Sequence, residues 1–288
     1  MPDGRALDLG ERTLVMGILN VTPDSFAEAA PRTDPVLAAE DALRMEADGA
    51  DLVDIGGEST RPGAEPVTAD EELARFLPVL RRLAGRLRVP VSIDTYKARV
   101  AEAALSEGAL IVNDISGLRY DPPIATVAAA AGAPLVVMHM RGRSGTMYRE
   151  ARYADVAREV VAELRERLAT AEAAGVPRES LIVDPGLGFA KDARQSLELL
   201  ARLPELAVLE RPLLVGPSRK SFLASAVGDR PPAAREFATA AAVAAAVLGG
   251  AHIVRVHAVR EMSDVVRVVD GIRMRAVRPS GGADQLCR

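Results

Sequence analysis

At 288 residues the chain is long enough for one large α/β domain, and its 49% hydrophobic and 26% charged content is that of a packed protein in water. A net charge of −4 gives no support to nucleic-acid binding, and the longest apolar stretch, about residues 238–250, is too short and Ala-rich to span a bilayer. One cysteine, Cys287, builds neither a disulfide framework nor a thiolate metal site, and residues 1–13 carry acids before any apolar run, unlike a signal peptide, so a reducing cytoplasm is the expected setting.

In chain order, short apolar runs alternate with long Ala/Leu/Glu/Arg stretches. The runs are TLVMGILNV from Thr13, DLVDIGG from Asp51, PVSIDT from Pro90, LIVNDIS from Leu110, PLVVMHM from Pro134, LIVDPGLG from Leu181, PLLVGPSR from Pro212 and HIVRVHA from His252. Their continuous hydrophobicity predicts parallel strands buried on both faces. Amphipathic helices lie between them, and Gly49, Gly108, Gly132 and Gly175 mark helix ends just before the next strand. Eight strands alternating with helices predict an α/β fold, a single-domain (β/α)₈ TIM barrel. A doubly wound open sheet needs a Gly-rich dinucleotide loop after its first strand, and GILNVTPDSF is not one. The expected division is an N-terminal extension over 1–12, the barrel over 13–277 and a disordered polar tail over 278–288.

Each run turns polar at its C-terminal end, where barrel enzymes place their chemistry. The ends carry Asn20, then Asp54 and Glu58, Asp94, Asn113 and Asp114, His139, Asp184, then Ser218, Arg219 and Lys220, and finally Arg255 and His257. A strand-end Asp alone is as readily a helix cap, above all Asp54 or Asp114. Capping does not call for cations, so the set reads as a site. Arg61, Arg219, Lys220, Arg255 and His257 suit an anion, and the GGESTRPG loop is rich in donors for a phosphate. Asp94, Asn113 and Asp184 suit a nitrogen heterocycle, a carboxylate accepting from a ring N–H and its neighbouring NH₂. No thiol and no Ser-His-Asp arrangement is evident. An anionic leaving group on a heterocycle is the chemistry implied, with a Schiff-base lyase using Lys220 as an alternative. Among the other lysines, Lys97 reads as a helix-end or surface residue and Lys191 has no assigned role. His252 reads as structural, and His139 as making an orienting hydrogen bond.

The motifs GILNVTPDSF (17–26), DIGGESTRPGA (54–64), SIDT (92–95), NDI (113–115), MHM (138–140), DPGLGF (184–189), SRKS (218–221) and RVH (255–257) resemble those of the dihydropteroate synthase family. They fall in family order over about residues 13–277. A pterin-binding methyltransferase would share the barrel and the Asp, Asn and Asp pocket but lack NVTPDSF, STRPG and SRKS. The resemblance implies condensation of (7,8-dihydropterin-6-yl)methyl diphosphate with 4-aminobenzoate in folate biosynthesis, by dissociative substitution. It implies a Mg²⁺ held through Asn20, with Thr60, Arg61, Arg255 and His257 on the pyrophosphate. Asp94, Asn113, Asp184 and Lys220 would hold the pterin, with Met138 on its ring face. Phe189, Pro62 and Ser221 would form the 4-aminobenzoate pocket. Asp94, Lys220, Arg255 and His257 would be the catalytic set, segments 21–31 and 60–66 mobile loops, and the assembly a homodimer. The chain departs from the family pattern at residues 27–30 (Ala-Glu-Ala-Ala), at Arg141, where Gln is common, and at Ala258, where Asp is common. The altered first loop leaves room for a catalytically silent pterin-binding paralogue.

Overall fold

The computed structural model describes residues 1–22, 34–59, 65–143, 145–149 and 151–276. The predicted runs form eight strands: β1 (Leu14–Asn20), β2 (Leu52–Gly56), β3 (Val91–Asp94), β4 (Ile111–Asp114), β5 (Leu135–Met138), β6 (Leu181–Asp184), β7 (Leu214–Val215) and β8 (Ile253–Val256). All neighbouring pairs are parallel, in the order β6-β5-β4-β3-β2-β1-β8-β7. A parallel bridge from Val183 to Leu213 joins the two ends, so the sheet closes into the expected barrel. Strands β2 to β6 are buried along their whole length, as their unbroken apolar runs require.

The helices are α1 (Pro35–Ala47), α2 (Ala69–Leu83), α3 (Ala98–Ser106), α4 (Pro123–Ala131), α5 (Val156–Ala173), α6 (Ala193–Ala201), a single turn α7 (Ala224–Val227), α8 (Glu236–Leu248) and α9 (Val259–Ala276). Two of them begin with reciprocal caps: Thr68 with Glu71 for α2, and Asp192 with Gln195 for α6. The glycines read as helix ends, Gly49, Gly108, Gly132 and Gly175, all have left-handed φ.

With few aromatic residues, the core is aliphatic. Its main layer lies between strands and helices, including Val53, Ile55, Ile93, Val137, Leu164 and Val243. A second cluster (Leu14, Met16, Leu52, Ile111, Val136, Ile182, Leu214, Ile253) fills the barrel floor, with Met1, Leu7 and Leu9 of the N-terminal segment packed against it. Ile115, Met138, Met140, Met147 and Ala190 form a third cluster, with Tyr96, Tyr120 and Phe189 packed against it. The floor is thus apolar and the polar strand ends are left to the opposite rim.

Candidate active site

That rim encloses a cavity of about 470 Å³, of the size of a small-molecule site. Asn20, Asp94, Asn113, Met138, Asp184, Phe189, Lys220, Ser221, Arg255 and His257 all line it. Thr60, Arg61 and Pro62, the altered residues 27–30 and Cys287 lie outside the described residues.

At one part of the cavity a buried polar cluster joins four strands, β2, β3, β4 and β8. Arg255 on β8 donates from Nε to Asp54 Oδ2 (2.6 Å) and from Nη2 to Asp94 Oδ2 (2.7 Å). Asn113 Nδ2 donates to the same Asp54 oxygen at 3.0 Å. Burial, with Asp54 nearby, pushes the Asp94 carboxyl up, against the pull of Arg255. Asp54 is therefore no helix cap: fully buried, it aims the Asn113 amide and the Arg255 guanidinium. Asp114 is no helix cap either, for α4 starts only at Pro123; its two oxygens accept from the Ser116 N–H (2.7 Å) and the Leu118 N–H (2.6 Å) and so hold its own loop.

Across the cavity Lys220 donates from Nζ to the Leu187 carbonyl at 2.5 Å and lies 4.1 Å from the centre of the Phe189 ring. Burial lowers its pKa to about 8, with Asp184 opposing and Arg255 assisting. Asp184, at the end of β6, accepts the Gly186 N–H at 2.7 Å, and burial raises its pKa. The turn needs glycine at 186, where φ is +66° and a Cβ would stand 2.1 Å from the His139 carbonyl oxygen. The His257 N–H donates to Ser218 Oγ at 3.2 Å, and that hydroxyl lies 2.8 Å from His257 Nδ1, so Ser218 orients the ring.

Several residues sit elsewhere than expected. Arg219 lines the cavity, but its Nε donates to Glu236 at 2.5 Å, and its backbone has φ of +58°. Lys97 stands at the start of α3 as read, yet it is not on the surface: its side chain is 14% exposed and its Nζ pairs with both Glu58 and Glu72. A pattern along one strand could not reveal those partners, which come from the β2 loop and α2. His139 does not line the cavity; its Nδ1 meets Lys191 Nζ at 2.8 Å behind it. His252 accepts the Leu213 N–H at 3.1 Å, a structural bond at the start of β8. Met147, Tyr148 and Arg235 also line the cavity without a sequence signal to mark them, because loops rather than strand ends bring them there.

The comparisons define the class first. Residues 16–257 match the pterin binding enzyme family, and the chain belongs to it. A dihydropteroate synthase of Synechocystis is 46% identical over 273 residues, 94% of either chain. The Yersinia pestis dihydropteroate synthase solved with a sulfonamide drug is 41% identical and superposes with a TM-score of 0.90, over 94% of this chain and 98% of that one. The Xanthomonas albilineans enzyme solved with 7,8-dihydropteroate is 38% identical with a TM-score of 0.84, over 96% and 98%. Within the family, then, the chain groups with the dihydropteroate synthases, transferases of folate synthesis. The lyase and methyltransferase readings fall away.

Proposed function

We propose that this chain condenses (7,8-dihydropterin-6-yl)methyl diphosphate with 4-aminobenzoate by dissociative substitution, through the residues of this cavity. The observation that carries the reading is that one cavity is lined by heterocycle-pairing groups (Asp94, Asn113, Asp184) and by cations (Lys220, Arg255, His257). Asp184 takes the pterin ring N–H and exocyclic amine, Asn113 and Lys220 its other polar atoms, and Met138 one face. Arg255 and His257 bind the diphosphate and, with Thr60 and Arg61, hold it as the C–O bond breaks and its electron pair leaves with the diphosphate. The methylene becomes cationic, and Asp94 faces that charge. The amine of 4-aminobenzoate, seated by Phe189, Pro62 and Ser221, then attacks and loses a proton. No enzyme nucleophile is required.

The chain's donors fit a Mg²⁺ that arrives with the diphosphate. Asn20 offers the cavity a neutral hard oxygen, and Mg²⁺ needs few protein ligands when phosphates and water complete its shell. Bound there, it would neutralise charge on the departing diphosphate. A homodimer is the assembly we favour: α8 and α9 leave Phe237, Leu248, Val268, Ile272 and Met274 in solvent, an apolar excess suited to a second copy. A cytoplasmic setting is supported by the single cysteine; among the described residues no helix is long and apolar enough to cross a membrane.

The test is diphosphate release from the dihydropterin diphosphate with Mg²⁺ and 4-aminobenzoate, with dihydropteroate identified by mass. Release dependent on both additions is expected. Release independent of 4-aminobenzoate, or none, refutes the proposal.

A further inference from the structure

Lys191 is 1% exposed, and nothing in the proposed reaction uses it. Its Nζ has three partners: His139 Nδ1 at 2.8 Å, the Gly186 carbonyl at 3.1 Å and the Phe189 carbonyl at 3.1 Å. Two of these contacts are N–H donations to carbonyls, and burial drives the Lys191 pKa well below its ordinary value. On the other side of the ring His139 Nε2 lies 3.2 Å from Glu163 Oε2, and Glu163 also pairs with Arg141. Burying a lysine costs free energy that an apolar side chain of similar length would not. Filling space therefore does not account for it.

The geometry does. Lys191 immediately precedes the Asp192 cap of α6, and the turn from Asp184 to Lys191 carries two groups of the proposed site. Three residues of that turn have left-handed φ: Gly186 (+66°), Gly188 (+75°) and Ala190 (+48°), the last a conformation costly for alanine. Such a turn holds its shape only if neighbours fix it. Lys191 grips the carbonyls at 186 and 189, while Lys220 grips the one at 187. Gly186, whose carbonyl Lys191 takes, gives its N–H to Asp184.

We infer that Lys191 is a positioning residue of the reaction: it clamps the turn behind the cavity and so aims the Asp184 carboxylate and the Phe189 ring. The inference rests on the substrate assignments proposed above. The contacts it sets act on bound substrates before and during reaction, so its loss should appear in binding more than in kcat. In Lys191→Met, affinity for a non-reacting pterin, 6-hydroxymethylpterin, should fall about tenfold by calorimetry, and the KM for 4-aminobenzoate should rise by a like factor, with kcat lowered less than about threefold. Glu163→Gln keeps the lysine but removes the anion beyond His139; it should weaken pterin binding about threefold, and it supplies the test if Lys191→Met does not fold. Asp184→Asn, run alongside, should lose pterin binding. If it does while the other folded variants bind as wild type, merely melting at a lower temperature, Lys191 is structural and the inference is overturned. If Asp184→Asn itself binds normally, the pterin site is misplaced and both readings fail.

Discussion

Lys220 shows how one side chain joins burial, charge and chemistry. Its amine is covered, donates to Leu187 and lies over Phe189, and burial brings its pKa to about 8. As a cation it is a preorganised donor, so Lys220→Ala should lower kcat/KM by about 10²–10³ while leaving the barrel folded by circular dichroism. The sign of its pH dependence follows: the charged form is lost as pH rises through about 8, so kcat/KM should fall there. Lys220→Arg, charged at every working pH, should lack that limb. A limb that persists in the Arg variant assigns it to another group. The residue was legible because it ends a strand within SRKS. Asp54 and Asp114 were not separable by pattern, for each is a strand-end carboxylate. Only geometry shows that Asp114 holds its own loop while Asp54 aims Asn113 and Arg255 across the barrel.

Among the elements, the loop after β2 carries two of the proposed diphosphate donors, Thr60 and Arg61, and its base is tied down. Glu58 pairs with Lys97 and accepts from the Tyr96 hydroxyl at 3.0 Å. Lys97 also pairs with Glu72 of α2, which is fully buried and whose pKa burial raises. Removing the shared cation leaves a buried carboxylate unpaired, which costs about 3 kcal/mol or more. Lys97→Met should therefore lose about that much stability in urea unfolding near neutral pH. The deficit should shrink in acid, because a carboxyl with a raised folded pKa binds its proton more readily in the fold than in the unfolded chain. A variant with wild-type stability would mean water already screens the pair. The periodicity that showed each strand and helix could not show this, since Lys97, Glu58 and Glu72 belong to three elements that only closure of the barrel brings together.

Across the whole molecule, eight apolar runs in sequence and the rule that barrel strand ends meet at one rim were enough to foresee the architecture and nine residues of the cavity, while Met138, Phe189 and Ser221 came from the family resemblance. The layer behind the cavity was not foreseeable, and it makes the fold's stability depend on pH in a way that can be isolated. Burial, and then the neighbouring Lys191, lower the His139 pKa to about 3 from an ordinary 6.5. In the fold the ring stays neutral while the unfolded chain protonates below about 6.5, so this group costs stability as pH falls. Buried carboxylates act with the opposite sign: Asp114, raised to about 6 by burial, gains a proton more readily in the fold. The net curve mixes both, but a difference between variants cancels the carboxylates away from residue 139. Glu163, which burial would raise but His139 and Arg141 hold at about 2, is ionised in wild type at both pH values used. Gln in place of His139 offers neutral polar atoms and no titration. His139→Gln should be the less stable at pH 7, and its deficit against wild type should narrow by about 1.4 kcal/mol per pH unit below 6.5, or about 2 kcal/mol by pH 5. Urea unfolding of both proteins at the two pH values measures it. A deficit independent of pH would show that His139 titrates alike in the folded and unfolded chain, and that the ring is not sealed between Lys191 and Glu163.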